Sequence, residues 1–226
     1  ETKHMKYYFI GGLGGNGYHL APLTNELGFP VTFLDPYREL IQTEKELRSW
    51  FQGQIGQDEE IYLLGHSLGG DLARYLAAEF PQIRALILLD GGYLDMEKIL
   101  PLEEELEGTA SFMQQQVFAT LEEAVLSELG DGADPTPIAR KAVEASYRWN
   151  PSSEQYELNL DLEKVMALLR LRRQMKTYQI PLADLSVLFI GPRYQEEPEW
   201  RKEALKQLEP QIKQVLLEGL GHELYT

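Results

Sequence analysis

Residues 65–69 read GHSLG, a serine between two glycines in the pattern G-x-S-x-G. The apolar run IYLL at 61–64 comes directly before it, and a segment with leucines four positions apart follows it. A strand that turns sharply into a helix needs glycines on both sides of the turn, because side chains there would collide. The same turn strains the backbone of the serine and pushes its hydroxyl out above the sheet. We therefore predict that Ser67 is a nucleophile presented by a strand-to-helix turn.

Short apolar runs recur on both sides of this motif, at 7–10, 31–34, 61–64, 86–89, 187–190 and 215–217. Continuous rather than alternating apolarity indicates strands that are buried on both faces, as in a parallel sheet covered by helices. Segments of helical spacing lie between the runs, which is typical of βαβ units. The predicted fold class is α/β, with a roughly six-stranded, mainly parallel sheet flanked by helices.

The alternation of strand and helix breaks between the fourth and fifth runs. Residues 95–180 contain no convincing core strand, but they include the amphipathic stretches EEAVLSEL at 122–129 and LEKVMALLRLRRQM at 162–175. A connection of this length without structure of its own would be unusual. We predict a helical lid over 95–180, inserted into a core made of residues 5–94 and 181–226, with a pocket between lid and core.

The composition of the chain excludes several kinds of site and several kinds of binding partner. The 226 residues include no cysteine, so a disulfide framework, a thiolate nucleophile and a Cys-based zinc site are excluded. The net charge of −15 repels nucleic acid and anionic membranes. No apolar stretch approaches the roughly 20 residues of a membrane span, and no secretory signal pattern is present. The expectation is a cytoplasmic monomer or homodimer that binds a small molecule, with residues 1–4 a tag remnant before a native start at Met5.

A serine hydroxyl becomes a good nucleophile only when a base takes its proton. Of four histidines, His4 falls in the tag remnant, His19 follows a glycine-rich turn, and His66 lies inside GHSLG, where it points away from Ser67. His222 lies in EGLGHELYT, a glycine-bounded loop after the last apolar run that can return over the carboxyl edge of the sheet. We therefore predict that His222 is the base.

The stretch GGLGGNG at 11–17 follows the first apolar run and contains the spacing Gly12-x-Gly14-x-x-Gly17. With Asp35 roughly 20 residues on, it fits a dinucleotide-binding turn. Backbone N–H groups brought together by glycines also bind other anions, including an oxyanion that forms during acyl transfer. An NAD(P)-binding oxidoreductase is therefore an alternative to a serine hydrolase.

Taken together, GHSLG, GLGH and GGLGG resemble the motifs of α/β-hydrolase-fold serine hydrolases, esterase-like enzymes with a lid. The resemblance extends from about residue 6 to the end, apart from the variable lid. In that family the loop after the first core parallel strand is often His-Gly-x-x-Gly and supplies an oxyanion donor; here Gly11 replaces the histidine. The resemblance implies an oxyanion hole made by the N–H groups of Leu13 and Leu68, and glycines that hold an oxyanion rather than a dinucleotide. It also implies no metal and no diffusible cofactor, and a compact sheet that lacks the family's two additional N-terminal strands.

The resemblance leaves the acid that orients His222 open. The family's commonest acid position is the loop after the penultimate strand, written Gly-x-x-Asp, where this chain reads GPRYQEE with Tyr194 at the expected position and Glu196 displaced. The other position used in the family is the end of the strand after the nucleophile's helix, where LILLDGGY places Asp90. Asp90 is favoured and Glu196 is the alternative acid. More distant choices are Asp35 and Asp95.

The resulting hypothesis is acyl transfer by a carboxylesterase-like serine hydrolase, with a small or medium apolar ester as the default substrate. Thioester, lactone, amide and peracid chemistry use the same side chains and stay open. Aromatic residues of the lid and strand ends suggest an apolar acyl or alcohol pocket: Tyr93, Phe112, Phe118, Tyr147 and Trp149. An alternative on the same fold is a non-catalytic or single-turnover receptor for a small molecule.

Overall fold

A parallel sheet of six strands forms the centre of the protein. The computed structural model describes residues 5–58, 60–132 and 134–226, so the interpretation of residues 1–4 lies outside the described residues. The strands are β1 (Lys6–Ile10), β2 (Thr32–Leu34), β3 (Ile61–His66), β4 (Ile83–Leu89), β5 (Val117–Phe118), β6 (Tyr147–Asn150), β7 (Gln155–Leu158), β8 (Ser186–Arg193) and β9 (Lys213–Glu218). The α-helices are α1 (Ala21–Leu27), α2 (Glu44–Ile55), α3 (Leu68–Glu79), α4 (Leu102–Gln115), α5 (Leu121–Leu129), α6 (Pro137–Ala145), α7 (Leu162–Met175) and α8 (Glu199–Lys206).

The strand order of the central sheet is β2-β1-β3-β4-β8-β9, and every neighbouring pair is parallel. The six strands coincide with the six apolar runs, except that β2 begins one residue into its run, so the predicted α/β fold class is confirmed. Strands β3 and β4 lie in the middle, where Leu63 and Leu86 are fully buried. Since parallel strands place their carboxyl ends at one edge, the residues that follow β1, β3, β4 and β8 lie next to one another there.

Helix α3 begins directly after Ser67 and ends at Glu79, before Phe80 and Pro81. Its apolar positions Leu72 and Leu76 are fully buried against the sheet and belong to the main core cluster. The Pro81 ring cannot continue a helix, which accounts for the end. The buried helix therefore fixes the position of its first turn, and of Ser67 before it, at the carboxyl end of β3.

The segment between β4 and β8 is not purely helical. It contains α4 to α7 and a three-stranded antiparallel sheet in the order β5-β7-β6, which the apolar pattern does not predict. Cross-strand packing of Trp149 on Tyr156, with ring centroids 5.0 Å apart, stabilises this small sheet. In contrast, α7 packs into the main core through Val165 and Leu168. Part of the insert is thus built on the core, and its role as a lid stays a prediction.

Polar contacts tie the insert to loops that follow the strands of the core. The Asn16 amide donates to the Ala142 carbonyl at 2.8 Å and to the Ser146 hydroxyl at 3.0 Å. The Lys164 ammonium donates to the Arg38 carbonyl at 3.0 Å. The insert therefore lies over the carboxyl edge of the sheet, where the site residues are expected.

Within the described part of the chain, no helix has both the length and the apolar character needed to cross a bilayer.

Candidate active site

Ser67 has a positive φ, with φ 57° and ψ −124°, between β3 and α3. The two flanking glycines have no space for a side chain: a Cβ at Gly65 would lie 2.4 Å from the Gly69 carbonyl oxygen, and one at Gly69 would lie 2.1 Å from that of Ile10. Close backbone contact on both sides holds the serine in a conformation that L-residues rarely adopt. The glycines of G-x-S-x-G are thus required by packing in this chain.

Asp90 follows β4 directly and also has a positive φ, of 45°. Its amide donates to the Ile190 carbonyl on β8 at 2.8 Å. A Cβ at the next residue, Gly91, would lie 2.2 Å from the Ser67 carbonyl oxygen. The backbone after β4 therefore presses against the serine turn, and Asp90 is fixed beside it.

The structure brings His222 and Asp90 together. The His222 Nδ1–H donates to Asp90 Oδ2 at 2.6 Å, and the Asp90 side chain is buried while the imidazole is half exposed. Burial alone would raise the pKa of Asp90, but the hydrogen bond and charge of His222, with smaller contributions from Arg201 and Tyr93, hold it below its usual range. An ionised carboxylate at Nδ1 leaves the other ring nitrogen, Nε2, free to accept a proton.

The second oxygen of Asp90 is held from the opposite side. Asp90 Oδ1 accepts from the Tyr93 hydroxyl at 3.2 Å and lies 3.5 Å from the Arg201 guanidinium. Tyr93 therefore orients the carboxylate of Asp90. It was considered as a pocket residue, but it does not line the cavity described below. Arg201 comes from α8, a helix rich in charged residues, and its side chain is buried.

The other candidate acids lie apart from His222. Glu196 is exposed, and its neighbour Glu197 pairs with Arg201 at 2.6 Å. Asp35 and Asp95 accept from backbone N–H groups two residues ahead and so cap short 3₁₀ helices. Of the acids considered from the sequence, the structure places only Asp90 against the imidazole.

His66 contacts the His222 loop, a contact that the sequence does not predict. Its Nε2–H donates to the His222 carbonyl at 2.7 Å, and the two rings lie 4.7 Å apart. The ring of Tyr225 packs on the other side at 4.9 Å. Burial lowers the pKa of His66 to about 4, so this side chain is neutral at pH 7 and acts as a hydrogen-bond donor. His66 thus joins the serine turn to the loop that carries the imidazole.

The two residues predicted to supply the oxyanion hole, Leu13 and Leu68, belong to segments that lie beside Ser67. Leu68 is the first residue of α3, where an N–H has no partner inside the helix. Leu13 lies in a turn closed by a 3.1 Å hydrogen bond from the Gly15 amide to the Gly12 carbonyl, with Gly14 at φ 83°. In residues 5–58, 60–132 and 134–226, neither N–H donates to another protein group. Both are therefore available to an anion.

The glycine turn also approaches the serine closely. A Cβ at Gly12 would lie 3.0 Å from Ser67 Cβ and 3.2 Å from His66 Nδ1. The glycines thus allow the loop after β1 to pass directly over the serine turn. Asp35, the acid that a dinucleotide site would use, is instead engaged by the Tyr37 amide and the Arg38 guanidinium, each at 3.0 Å.

A cavity of about 380 Å³ opens beside this site. Its walls come from the glycine turn, the insert and the C-terminal loop, and include Leu13, His19, His66, Phe112, Glu128 and Glu223. Gly12 and His66 line it close to the serine turn, whereas Ser67 and His222 do not line it. Among the five aromatic residues proposed for the pocket, Phe112 lines the cavity.

The Ser67 hydroxyl makes no hydrogen bond to His222 in the part of the chain that is described. Catalytic hydrogen bonds are often long in structures without substrate and tighten in the complex. Proton transfer from Ser67 to His222 therefore stays a prediction. Among the described residues, no group of three or more histidine, aspartate or glutamate side chains is arranged to hold a metal ion.

Comparison with known protein families agrees with the α/β fold class that the central sheet shows. A family model described as "alpha/beta hydrolase fold" matches residues 15–165, about two thirds of the chain. The chain belongs to the alpha/beta hydrolase fold family. The GGLGGNG turn is therefore the loop that follows the first strand of this chain's alpha/beta hydrolase sheet.

Solved alpha/beta hydrolase structures resemble this chain over nearly its whole length. A thioesterase domain from the curacin biosynthetic pathway has a TM-score of 0.70 at 17% identity, over 100% of this chain and 88% of that one. An E-2-(acetamidomethylene)succinate hydrolase has a TM-score of 0.71 at 16% identity, over 97% and 85%. An esterase of M. tuberculosis has a TM-score of 0.64 at 17% identity, over 99% and 80%. No curated protein matches the chain in sequence. At these identities the likeness shows the fold, and with the family it supports a hydrolase.

Proposed function

We propose that this protein is a serine hydrolase that cleaves a small or medium carboxylic ester, or a related acyl compound, through an acyl-enzyme. The observation that carries the proposal is the 2.6 Å hydrogen bond between His222 and the buried Asp90, beside a serine held at φ 57°. A strained serine, an imidazole and a buried carboxylate at one sheet edge are the groups that acyl transfer requires.

In the proposed reaction the Ser67 hydroxyl attacks the substrate carbonyl, and His222 Nε2 takes its proton. The N–H groups of Leu13 and Leu68 hold the negative charge that develops on the carbonyl oxygen. The imidazolium then gives its proton to the leaving alcohol, and the acyl group stays on the serine. A water molecule, deprotonated by His222, attacks the acyl-enzyme and releases the acid, which regenerates the serine.

Cavity size and lining support a small or medium substrate. A volume of about 380 Å³ lies near the lower end of the range for ligand sites. Leu13, Phe112 and Leu158 supply apolar surface, in line with an acyl or alcohol chain. Two structural neighbours, a thioesterase domain and an esterase, are by name hydrolases of acyl compounds.

The test is covalent labelling of Ser67 with a fluorophosphonate, followed by mass analysis of the labelled peptide. We expect the wild-type protein to be labelled, and the Ser67→Ala and His222→Ala variants to remain unlabelled. Ser127→Ala removes a serine from the cavity wall outside the proposed site and is the matched control, which we expect to label as the wild type does. A folded wild-type protein that resists labelling over hours would contradict the proposal, and a non-catalytic receptor would then be the better account.

A further inference from the structure

The carboxylate that contacts His222 is one member of a row of three buried or half-buried charges. Arg201 lies 3.5 Å from Asp90 Oδ1 on one side, and 2.6 Å from both carboxylate oxygens of Glu197 on the other. The Arg201 side chain is 2% exposed and that of Glu197 is 17% exposed. Because charges in such a setting are weakly screened by salt, each one affects the next.

The Arg201 guanidinium is fixed in its place by several further contacts. It donates to the Pro192 carbonyl at 2.7 Å and to the Tyr93 hydroxyl at 3.2 Å, and that hydroxyl in turn donates to Asp90 Oδ1. The Tyr194 ring lies over the guanidinium at 4.9 Å. A Cβ at Gly191 would come within 3.1 Å of Arg201 Nη2, so the absence of a side chain on β8 leaves room for the cation.

From this geometry we propose that Arg201 is a positioning residue, which holds the Asp90 carboxylate for His222 and whose charge sets the basicity of the His222–Asp90 pair. Glu197 determines how much of that charge the pair experiences. The inference rests on the proposed function, and it adds which neighbouring charges control the protonation of the base. In the segment GPRYQEE, where relatives are expected to carry the acid, this chain has Tyr194 and Glu197, and they hold a cation against an acid on another strand.

The sign of the effect follows from electrostatics. A positive charge beside Asp90 offsets the attraction that the carboxylate exerts on an imidazolium, so it favours the neutral imidazole. Removal of Arg201 should therefore favour the imidazolium, and removal of the Glu197 charge should disfavour it. The other titratable groups near the pair come from four places in the fold: His66 at the end of β3, Tyr93 after β4, Tyr194 after β8, and Glu223 next to His222 in sequence.

The experiment measures the rate of fluorophosphonate labelling of Ser67 against pH. In the wild type the rate should rise through a midpoint at which the base loses its proton. We expect Arg201→Gln to move that midpoint up by about half a pH unit or more, and Glu197→Gln to move it down. The double variant should lie between the two single variants. Lys202→Gln removes the same charge from an exposed position of α8 and should leave the midpoint unchanged.

An Arg201→Gln protein that folds and keeps the wild-type midpoint would overturn the proposal. If that variant does not fold, Glu197→Gln decides: a lower midpoint supports the proposal and an unchanged one overturns it. Failure of the proposed function is distinguishable, because then the wild type itself would not label. In that case the His222 imidazole signal, titrated by NMR in the same variants, tests the tuning without any catalysis: midpoints ordered as above support it, and equal midpoints overturn it.

Discussion

At the scale of single residues, the sharpest question is which carboxylate orients His222. Asp90 is buried and accepts a hydrogen bond from the imidazole, whereas Glu196 is exposed and makes no contact with it among the described residues. An amide in place of Asp90 would present an N–H to Nδ1 and so favour the wrong tautomer. We expect Asp90→Asn to lower the turnover of a simple ester by several orders of magnitude, on the order of 10⁴-fold as in well-studied triads.

The matched control is Glu196→Gln, which removes the other acid and should keep turnover within about twofold. Circular dichroism and the melting temperature of both variants would establish that the fold is intact. If Glu196→Gln were the more damaging substitution, the geometry at Asp90 would have a structural role only.

Ser67 and His222 could be singled out as candidates because each lies in a local sequence pattern: a serine between glycines after an apolar strand, and a histidine in a glycine-bounded loop. Their roles stay a prediction until labelling. Arg201 and His66 could not be singled out, since nothing local distinguishes a buried arginine from a solvated one in EPEWRKEALK. Only the tertiary fold places the first against Asp90 and the second against the His222 carbonyl.

At the scale of elements, the turn between β3 and α3 depends on backbone contact that no side chain can interrupt. A Cβ at Gly69 would lie 2.1 Å from the Ile10 carbonyl oxygen, so β1 or α3 would have to move. We expect Gly69→Ala to destabilise the protein by at least about 2 kcal/mol and to suppress Ser67 labelling. Chemical denaturation measures the first effect and fluorophosphonate the second.

Gly53 is the matched control, because it also lies in a helix, α2, but a Cβ added there would have no neighbouring atom within 4 Å. Gly53→Ala should raise the free energy of unfolding by about 0.5–1 kcal/mol, because alanine loses less conformational entropy than glycine on folding. Equal effects at the two positions would mean that the close approach of β1 to α3 is not what requires glycine.

The six central strands were predictable because each carries a short apolar run. The runs of the inner strands are largely buried, whereas the edge strands β2 and β9 stay partly exposed. The small sheet of the insert was not predictable, since β6 and β7 read YRWN and QYEL, with polar residues mixed in and no continuous apolar run. Their stability comes from pairing with each other and from apolar residues of α5 and α6 beneath them. Such pairing is a property of the tertiary fold, and a search for core strands passes over it.

At the scale of the whole molecule, the site is assembled from segments far apart in the chain. The serine turn and Asp90 come from the first half, while His222 lies close to the C-terminal Thr226. His66 connects them: its hydrogen bond to the His222 carbonyl spans 156 positions of sequence. The tail loop is thus held over the sheet by a side chain that must remain buried and neutral.

That burial predicts how the stability of the whole protein depends on pH. The pKa of His66 is lowered from 6.5 to about 4 by burial, so the unfolded chain binds this proton more tightly than the folded chain does. The stabilising effect of the neutral ring is complete above pH 6.5 and is lost as the pH falls towards 4. The pKa of His19 is also lowered, chiefly by burial, and acts in the same direction.

We expect the free energy of unfolding to fall by up to about 2 kcal/mol from this one side chain between pH 7 and pH 5. Urea denaturation at the two pH values measures the fall in the wild type and in His66→Gln, whose amide keeps a donor for the His222 carbonyl but does not titrate. Between pH 7 and pH 5, the free energy of unfolding of the variant should therefore fall less than that of the wild type, by the amount that His66 contributes. This difference does not depend on how stable the variant is at pH 7. Equal falls in the two proteins would mean that His66 can be protonated in place, and that the tail loop is held by contacts other than this ring.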